Sequence, residues 1–265
     1  MNPNKTILIT GSGTGIGKEL SIKLIEIGYK VIATTYTEKQ SEDLEKYFEE
    51  NNLKGKVYKL DITEQKDREL LNNEKIDILV NNGAIGETGS LSEIDLDKVR
   101  KVFETNLFSQ FEISQIELKQ MMKKGKGRII FVSSIASKLR MPFLAPYSMT
   151  KAALTQGALI LRKEIREINP NIKISVIEPG AYHTGFNQNM MKSKFEWMDK
   201  NSYFYNILDK IRERENRNFE LTEQKKLDSI INQIIKSIED TNPKKIYTAP
   251  YYQAFFVKIF NYLDF

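Results

Sequence analysis

The sequence predicts an α/β fold: a doubly wound, mostly parallel seven-stranded sheet flanked by helices on both faces. Short Ile- and Val-rich runs alternate with longer helical patterns through the first two thirds of the chain, as repeated βαβ units do. Most of these runs lack polar alternation, as expected of strands covered on both faces. The length of 265 residues, 40% of them hydrophobic, suits one large domain. A chain near that size removes roughly 75% of its unfolded surface from water without disulfides or structural metal.

Strands are expected over 6–10, 30–35, 56–61, 76–81, 128–133 and 172–178, with a seventh, after a break, over 244–248. Helices are expected between them over 15–28, 38–51, 64–73, 96–124 and 148–168. Asn169-Pro170 stops the last of these, because proline disfavours helix at its predecessor and cannot continue one itself. Gly125 stops the helix before it, with Lys123 and Lys124 suited to its negative end. The rhythm breaks after residue 184. Residues 185–220 hold Phe186, Phe195, Trp197, Tyr203, Phe204 and Tyr205 among charges and read as a substrate lid, too short to bury a core of their own. A helix over 222–239 then leads to the last strand. The tail, 249–265, carries Tyr251, Phe255, Phe256, Phe260, Tyr262 and Phe265. No repeat or linker divides residues 1–265, so a single domain is expected.

The absence of cysteine excludes disulfides and thiol chemistry, and with His183 as the sole histidine the usual zinc ligand sets are excluded too. No metal site is expected. Asn2, Asn4 and Lys5 run straight into a strand, leaving no room for a signal peptide, and no apolar run approaches the roughly 18 residues of a membrane span. A cytoplasmic protein with no transmembrane segment is expected. The net charge of +5 is unevenly spread: residues 118–163 hold ten basic residues and no acid. No nucleic-acid-binding module accompanies them, so no nucleic-acid partner is expected.

The chemistry-bearing residues begin at Thr10-Gly11-Ser12-Gly13-Thr14-Gly15-Ile16-Gly17, between a strand and a helix. Glycines there let backbone approach a pyrophosphate, and the helix N-terminus offers unpaired N–H groups. Asp61 and Asn81-Asn82-Gly83-Ala84 end the third and fourth strands, on the sheet edge where ligands of open α/β folds bind. The same residues also read as Asx turns. Tyr147 and Lys151 are four apart, a spacing that stacks two side chains on one helix face. A cation near a phenol favours phenolate and suits it to proton transfer. Ser134 ends the fifth strand, placed to hydrogen-bond the same substrate oxygen.

These residues resemble, in order, the motifs of the short-chain dehydrogenase/reductase family, in its smaller single-domain branch with a Rossmann-like fold. The glycine-rich turn is matched by Thr10 to Gly17, the adenine-side acid by Asp61 followed by Ile62, and the Asn-Asn-Ala-Gly strand end by Asn81 to Ala84. Asn106 stands for the structural and proton-relay asparagine, Ser134, Tyr147 and Lys151 for the serine and the Tyr-x-x-x-Lys pair. Pro179-Gly180-Ala181-Tyr182-His183-Thr184 matches the segment contacting the nicotinamide end. Two positions depart from the pattern: Gly83-Ala84 swaps the family's small residues, and Ser137 stands where glycine is frequent.

The resemblance implies an NAD(P)-dependent oxidoreductase passing a hydride between nicotinamide and a carbonyl or secondary alcohol. Asn106, Ser134, Tyr147 and Lys151 are its expected catalytic residues. Gly11, Ser12, Thr14, Gly15, Ile16, Gly17, Thr35, Tyr36, Asp61, Ile62, Asn82, Gly83, Ala84, Pro179, Gly180, Tyr182 and Thr184, with Tyr147 and Lys151, are expected to bind the cofactor. NADP(H) is favoured over NAD(H), because Ala33-Thr34-Thr35-Tyr36-Thr37 has no acid to repel a 2′-phosphate and its hydroxyls, with Lys39, could accept one. The acid-free block around Tyr147 is expected to favour phenolate and attract a phosphate-bearing cofactor. The aromatic lid suggests a bulky apolar substrate or simply packs onto the body. His183 reads as a capping or surface residue. The tail reads as a packed terminus, a surface for lipid or a subunit contact, and the family's habit of association favours the last, in a homodimer or homotetramer. The alternative is a catalytically silent dinucleotide-binding sensor or scaffold of the same fold.

Overall fold

The computed structural model describes residues 4–263. Phe265 lies outside the described residues, as do the side chains of Phe260 and Tyr262. The seven expected strands are β1 (Thr6–Ile9), β2 (Lys30–Thr35), β3 (Lys56–Lys59), β4 (Ile78–Asn81), β5 (Gly127–Val132), β6 (Ile172–Pro179) and β7 (Ile246–Ala249). They form one sheet in the order β3-β2-β1-β4-β5-β6-β7, and every pairing is parallel. The chain winds outward in one direction from β1 to β3 and in the other from β4 to β7. The switch between β1 and β4 leaves a crevice at their carboxyl ends, the place where such sheets bind ligands.

Alternation along each strand divides the core between the two faces of the sheet. Ile7 and Ile9 point to one face, where they meet Leu20 and Leu24 of α1 (Gly15–Glu26), Leu44 and Phe48 of α2 (Glu38–Glu50), and Ile230 and Ile234 further along. Leu8 and Leu79 point to the other. There they meet Ile113 and Met121, and Leu154 and Ala158. A short α3 (Gln65–Glu69) runs into a 3-10 turn, Leu70–Asn73, whose Leu71 joins that second face.

The helix expected over 96–124 is α4 (Leu96–Phe103) and α5 (Ser109–Lys124), joined by a wider π turn at Glu104–Phe108. Its C-terminus is at Gly125, with φ of 73°. The helix expected from 148 starts earlier, as α6 (Ala145–Ile168), because Pro146 sits in its first turn, where a missing N–H costs nothing. That shift brings Tyr147 onto the helix beside Lys151.

The segment 185–220 forms α7 (Phe186–Trp197), a 3-10 turn and most of α8 (Leu208–Thr222). The single helix expected over 222–239 does not form: α8 ends at Thr222 and α9 (Asp228–Glu239) begins after a break. In the break Gln224 pairs in parallel with Tyr182. The tail forms α10 (Tyr251–Leu263). Among the described residues no helix is long and apolar enough to cross a membrane, and no three metal-ligating side chains gather.

Candidate active site

A cleft of about 800 Å³ opens at the carboxyl edge of the sheet. Its floor is the glycine-rich turn held against the end of β4. The Thr10 hydroxyl accepts from the N–H groups of Asn82 (3.0 Å) and Gly83 (2.9 Å), and Asn82 Nδ2 donates to the carbonyls of Thr10 and Gly11, each at 3.0 Å. Gly11 has φ of 68°, and a Cβ on it would lie 2.6 Å from Gly83 Cα. Gly17 permits a second close approach, since a Cβ there would drive into the Gly11 carbonyl. Thr14 caps α1 without any side-chain bond to the first turn, so those N–H groups keep their capacity for an anion. This turn, which a side chain at Gly11 or Gly17 would push out of place, together with the open N–H groups of α1, fits a dinucleotide pyrophosphate. Gly17→Ala is expected to weaken NADPH binding about tenfold or more, because overpacking here costs about 1–3 kcal/mol; fluorescence titration checks it.

Most of the expected residues line this cleft: Gly11, Thr14, Gly15, Ile16 and Tyr36; Asp61, Ile62, Asn82, Gly83 and Ala84; Ser134, Tyr147 and Lys151; Pro179, Gly180, Tyr182 and Thr184. Four do not. Ser12 is buried beneath the turn, donating to the Ile9 carbonyl at 3.1 Å and accepting from Ser21. Gly17 packs behind the turn rather than facing the cleft. The Thr35 hydroxyl is fully buried and engaged with Ser41 (2.7 Å) and the Thr37 carbonyl (3.1 Å). Asn106 is buried in the π turn. Its Oδ1 accepts from Ile85 N (2.9 Å), and its Nδ2 donates to Ile85 O (2.8 Å) and Thr150 Oγ1 (3.2 Å). It fixes the loop after β4 instead of entering the cleft.

Other lining residues had weaker signals or none. Gln40 closes a capping box with Thr37, its Oε1 accepting from Tyr36 N at 3.1 Å, a Thr-x-x-Gln pattern legible in sequence. Lys98, Lys101, Val102 and Thr105 present one helical stripe to the cleft, a periodicity with no chemical motif attached. Ile85 and Gly86 line it too.

Tyr147, Ser134 and Lys151 are all buried at one end. The Tyr147 ring lies 5.7 Å from that of Phe186 and packs with Leu144, Met190 and Met191. Burial pushes its hydroxyl up to about 12, with the Ser134 hydroxyl acting in the opposite direction. Lys151 Nζ donates to the Val132 carbonyl at 2.9 Å and stands 5.7 Å from the Tyr147 ring centre. Burial pulls it down to about 7. Burial thus acts in the direction opposite to the expected tilt toward phenolate, since losing water penalises both charged forms.

Four cations of the basic block are engaged elsewhere. Lys124 pairs with Asp77, Lys138 with Glu178, Arg128 holds the Ser237 and Asp240 carbonyls, and Arg162 those of Ile174 and Pro243. Of the block's ten cations, only Lys151 lines the cleft. Among the lid aromatics only Phe186 lines it; Phe195, Trp197 and Phe204 pack around Met198, Leu208 and Ile211. The exposed His183 meets Glu223 at 2.7 Å and Gln188 at 3.1 Å, a clasp between the end of β6 and the end of α8.

A family model described as short chain dehydrogenase matches residues 5–194. The chain is similar to Dehydrogenase/reductase SDR family protein 7-like of Drosophila melanogaster, 31% identical over 199 residues, covering 71% of this chain. It spans 60% of that relative's length. It is also similar to the 3-oxoacyl-(acyl-carrier-protein) reductase FabG of Salmonella typhimurium, 32% identical over 186 residues, covering 68% of this chain and 74% of that one. An actinorhodin polyketide ketoreductase variant, solved with NADPH, shares the fold with a TM-score of 0.78 at 20% identity, covering 93% of this chain and 95% of that one.

Proposed function

Because the chain belongs to the short-chain dehydrogenase/reductase family, we propose that it is an NADP(H)-preferring oxidoreductase interconverting a carbonyl and a secondary alcohol, with Tyr147 as general acid and base. One observation carries the reading: Tyr147, Ser134 and Lys151 share a cleft whose other end is the glycine cradle.

A bound nicotinamide dinucleotide supplies the hydride. The Gly11–Gly15 turn would hold its pyrophosphate, and Tyr36, Asp61 and Ile62 its adenosine end. Pro179, Gly180, Tyr182 and Thr184 would border the nicotinamide. Ser134 Oγ donates to the substrate oxygen and fixes its place. Tyr147 Oη gives that oxygen its proton, and takes it back when the alcohol is oxidised. A neutral phenol, as burial favours here, is the form required for carbonyl reduction. Lys151 would bind the ribose hydroxyls and, when charged, ease proton release from Tyr147. The bonds of Asn106 to Ile85 and Thr150 support a positioning role for it rather than a water relay.

The absence of a carboxylate at the end of β2 supports NADP(H). Thr35 is taken out of that argument by its burial, and Lys39 by lying 3.7 Å from Asp43 on the outer side of α2. Tyr36 and Gln40 remain as uncharged neighbours of the adenosine end. Phe186, Ile85 and Tyr147 support an apolar body next to the reacting carbonyl. FabG, named for reduction of 3-oxoacyl groups, supports a ketone as the acceptor. The exposed Tyr251, Tyr252, Phe255 and Phe256 on α10 support self-association as a homodimer or homotetramer.

The test is oxidation of NADPH and of NADH against a panel of ketones and aldehydes. NADPH is expected to give the higher kcat/KM by about tenfold, the worth of about one hydrogen bond from an uncharged neighbour to the 2′-phosphate. Equal or better use of NADH would overturn the cofactor assignment. Tight cofactor binding with no turnover on any carbonyl would favour the sensor or scaffold instead.

A further inference from the structure

We propose that Gln253, in the C-terminal helix α10, is a positioning residue that locks the nicotinamide-end wall of the cleft to the foot of the lid. The inference rests on the oxidoreductase reading only for the meaning of the wall; the lock itself is built from contacts within the chain.

Gln253 is buried, 6% exposed, although its helix carries an exposed aromatic face. Its Oε1 accepts from the Ala181 N–H at 2.8 Å, and its Nε2 donates to the Thr222 carbonyl at 2.7 Å and to Tyr252 Oη at 3.2 Å. Ala181 follows Gly180, a lining residue of the cleft. Thr222 is the last residue of α8, where the lid returns to the body. One amide thus bridges two segments far apart in sequence, taking a donor from one and giving a donor to the other.

The surrounding geometry leaves this bridge little freedom. The amide packs so closely on Gly180 that a Cβ there would collide with Oε1 and lie 2.9 Å from Pro250 Cδ. Gly180 N donates to Ala249 O at 2.8 Å, just before α10. The two segments also pair directly, through Gln224 N to Ala181 O and His183 N to Gln224 O, each at 2.9 Å. Gln224 Nε2 reaches Tyr252 Oη at 2.8 Å. Glutamine is the residue type this site requires, since it presents an acceptor and a donor on one planar group. The half-buried N–H at Ala181 loses its acceptor without Gln253, at a cost in free energy, so the wall would move to find another.

Two substitutions separate the two halves of the bridge. Gln253→Met keeps the length and removes all three bonds. Gln253→Glu keeps an acceptor for Ala181 N–H and removes the donor to Thr222. Hydrogen exchange on the whole protein reads the lock without any turnover. In Gln253→Met the Ala181 and Gln224 amides are expected to exchange about tenfold faster, one lost hydrogen bond's worth. In Gln253→Glu the Ala181 amide should stay protected while that of Gln224 speeds up. By titration with NADPH, Gln253→Met should raise the Kd about tenfold and Gln253→Glu leave it nearly unchanged. Both should raise the substrate KM.

Unchanged exchange at Ala181 in Gln253→Met would overturn the proposal, as would identical Kd and KM in the two variants, because a mere core filler predicts only lower stability. If Gln253→Glu does not fold, exchange in Gln253→Met alone decides the matter. Absence of turnover in the unsubstituted protein would count against the proposed activity and leave the exchange result standing.

Discussion

Tyr147→Phe is expected to lower kcat by about three orders of magnitude, within the range that a positioned proton donor contributes, while the Kd for NADPH stays within about twofold. The substitution removes one oxygen and leaves the ring. That ring is what packs against Phe186 and among Leu144, Met190 and Met191, so the wall of the cleft should keep its shape. Among the described residues the hydroxyl is the only phenolic group in the buried end of the cleft beside Ser134 and Lys151. Tyr182 also lines the cleft, but its hydroxyl is held by Ser229 at 2.7 Å. Ser134 cannot replace the lost acid, since an aliphatic hydroxyl is a far weaker one and its oxygen already accepts from Ala136 N at 3.1 Å. Steady-state kinetics with the best carbonyl of the panel, together with a fluorescence titration of NADPH, separates the two quantities. Residual turnover within tenfold of the parent would remove Tyr147 from the acid role. Loss of NADPH binding would show instead that the hydroxyl holds the cofactor.

The sheet was legible because its strands obey local rules: Ile7-Leu8-Ile9 and Ile129-Ile130-Phe131-Val132 are apolar on both faces, and their order follows from the alternation with helices. Where the helices begin and end was less legible. Ser148 resembles a cap, yet Pro146 already opens α6. The break after Thr222 has no Gly or Pro to announce it; Glu223-Gln224-Lys225 leaves the helix to pair with Tyr182, a tertiary contact that overrides local propensity. The site residues were found by motif, but which of them face the cleft was not. Ser12 and Thr35 stand in the right stretch, and their hydroxyls turn inward to Ile9, Ser21, Ser41 and the Thr37 carbonyl, because a buried hydroxyl must be paired. A run of like charges in sequence likewise gives no indication of which end of the sheet each lysine reaches. The effect of burial on Tyr147 was not legible for a related reason, since burial is a property of the folded surroundings.

Lys151→Met is expected to lower kcat/KM by about two to three orders of magnitude and, without added dinucleotide, to make the fold more stable near pH 7. Lys151 is 2% exposed, makes one hydrogen bond, to Val132 O, and forms no ion pair among the described residues. A charged ammonium in that place is a cost, and exchange for an apolar chain of similar length relieves it. The gain should be about 1–2 kcal/mol once the freed Val132 carbonyl is counted against it. Its pH dependence identifies the cause. The folded-state value of Lys151 is pulled from 10.5 to about 7, so between those limits the unfolded chain binds more protons than the folded one. Stability then rises with pH across that window and is lost again as pH falls toward 7. Tyr147, pushed from 10.0 up to about 12, adds stability that persists below pH 10 and disappears as pH rises through 12, so the two groups act in adjoining windows. Urea titrations of the parent and of Lys151→Met at intervals from pH 6.5 to pH 10 should therefore converge: the variant leads at the acid end, and its advantage shrinks toward the alkaline end. Parallel curves would mean that Lys151 keeps its charge in the folded protein through a partner other than Val132. A converging pair would show that Lys151 is held at the expense of the fold that buries it, which is the condition for its proton to be exchangeable at neutral pH.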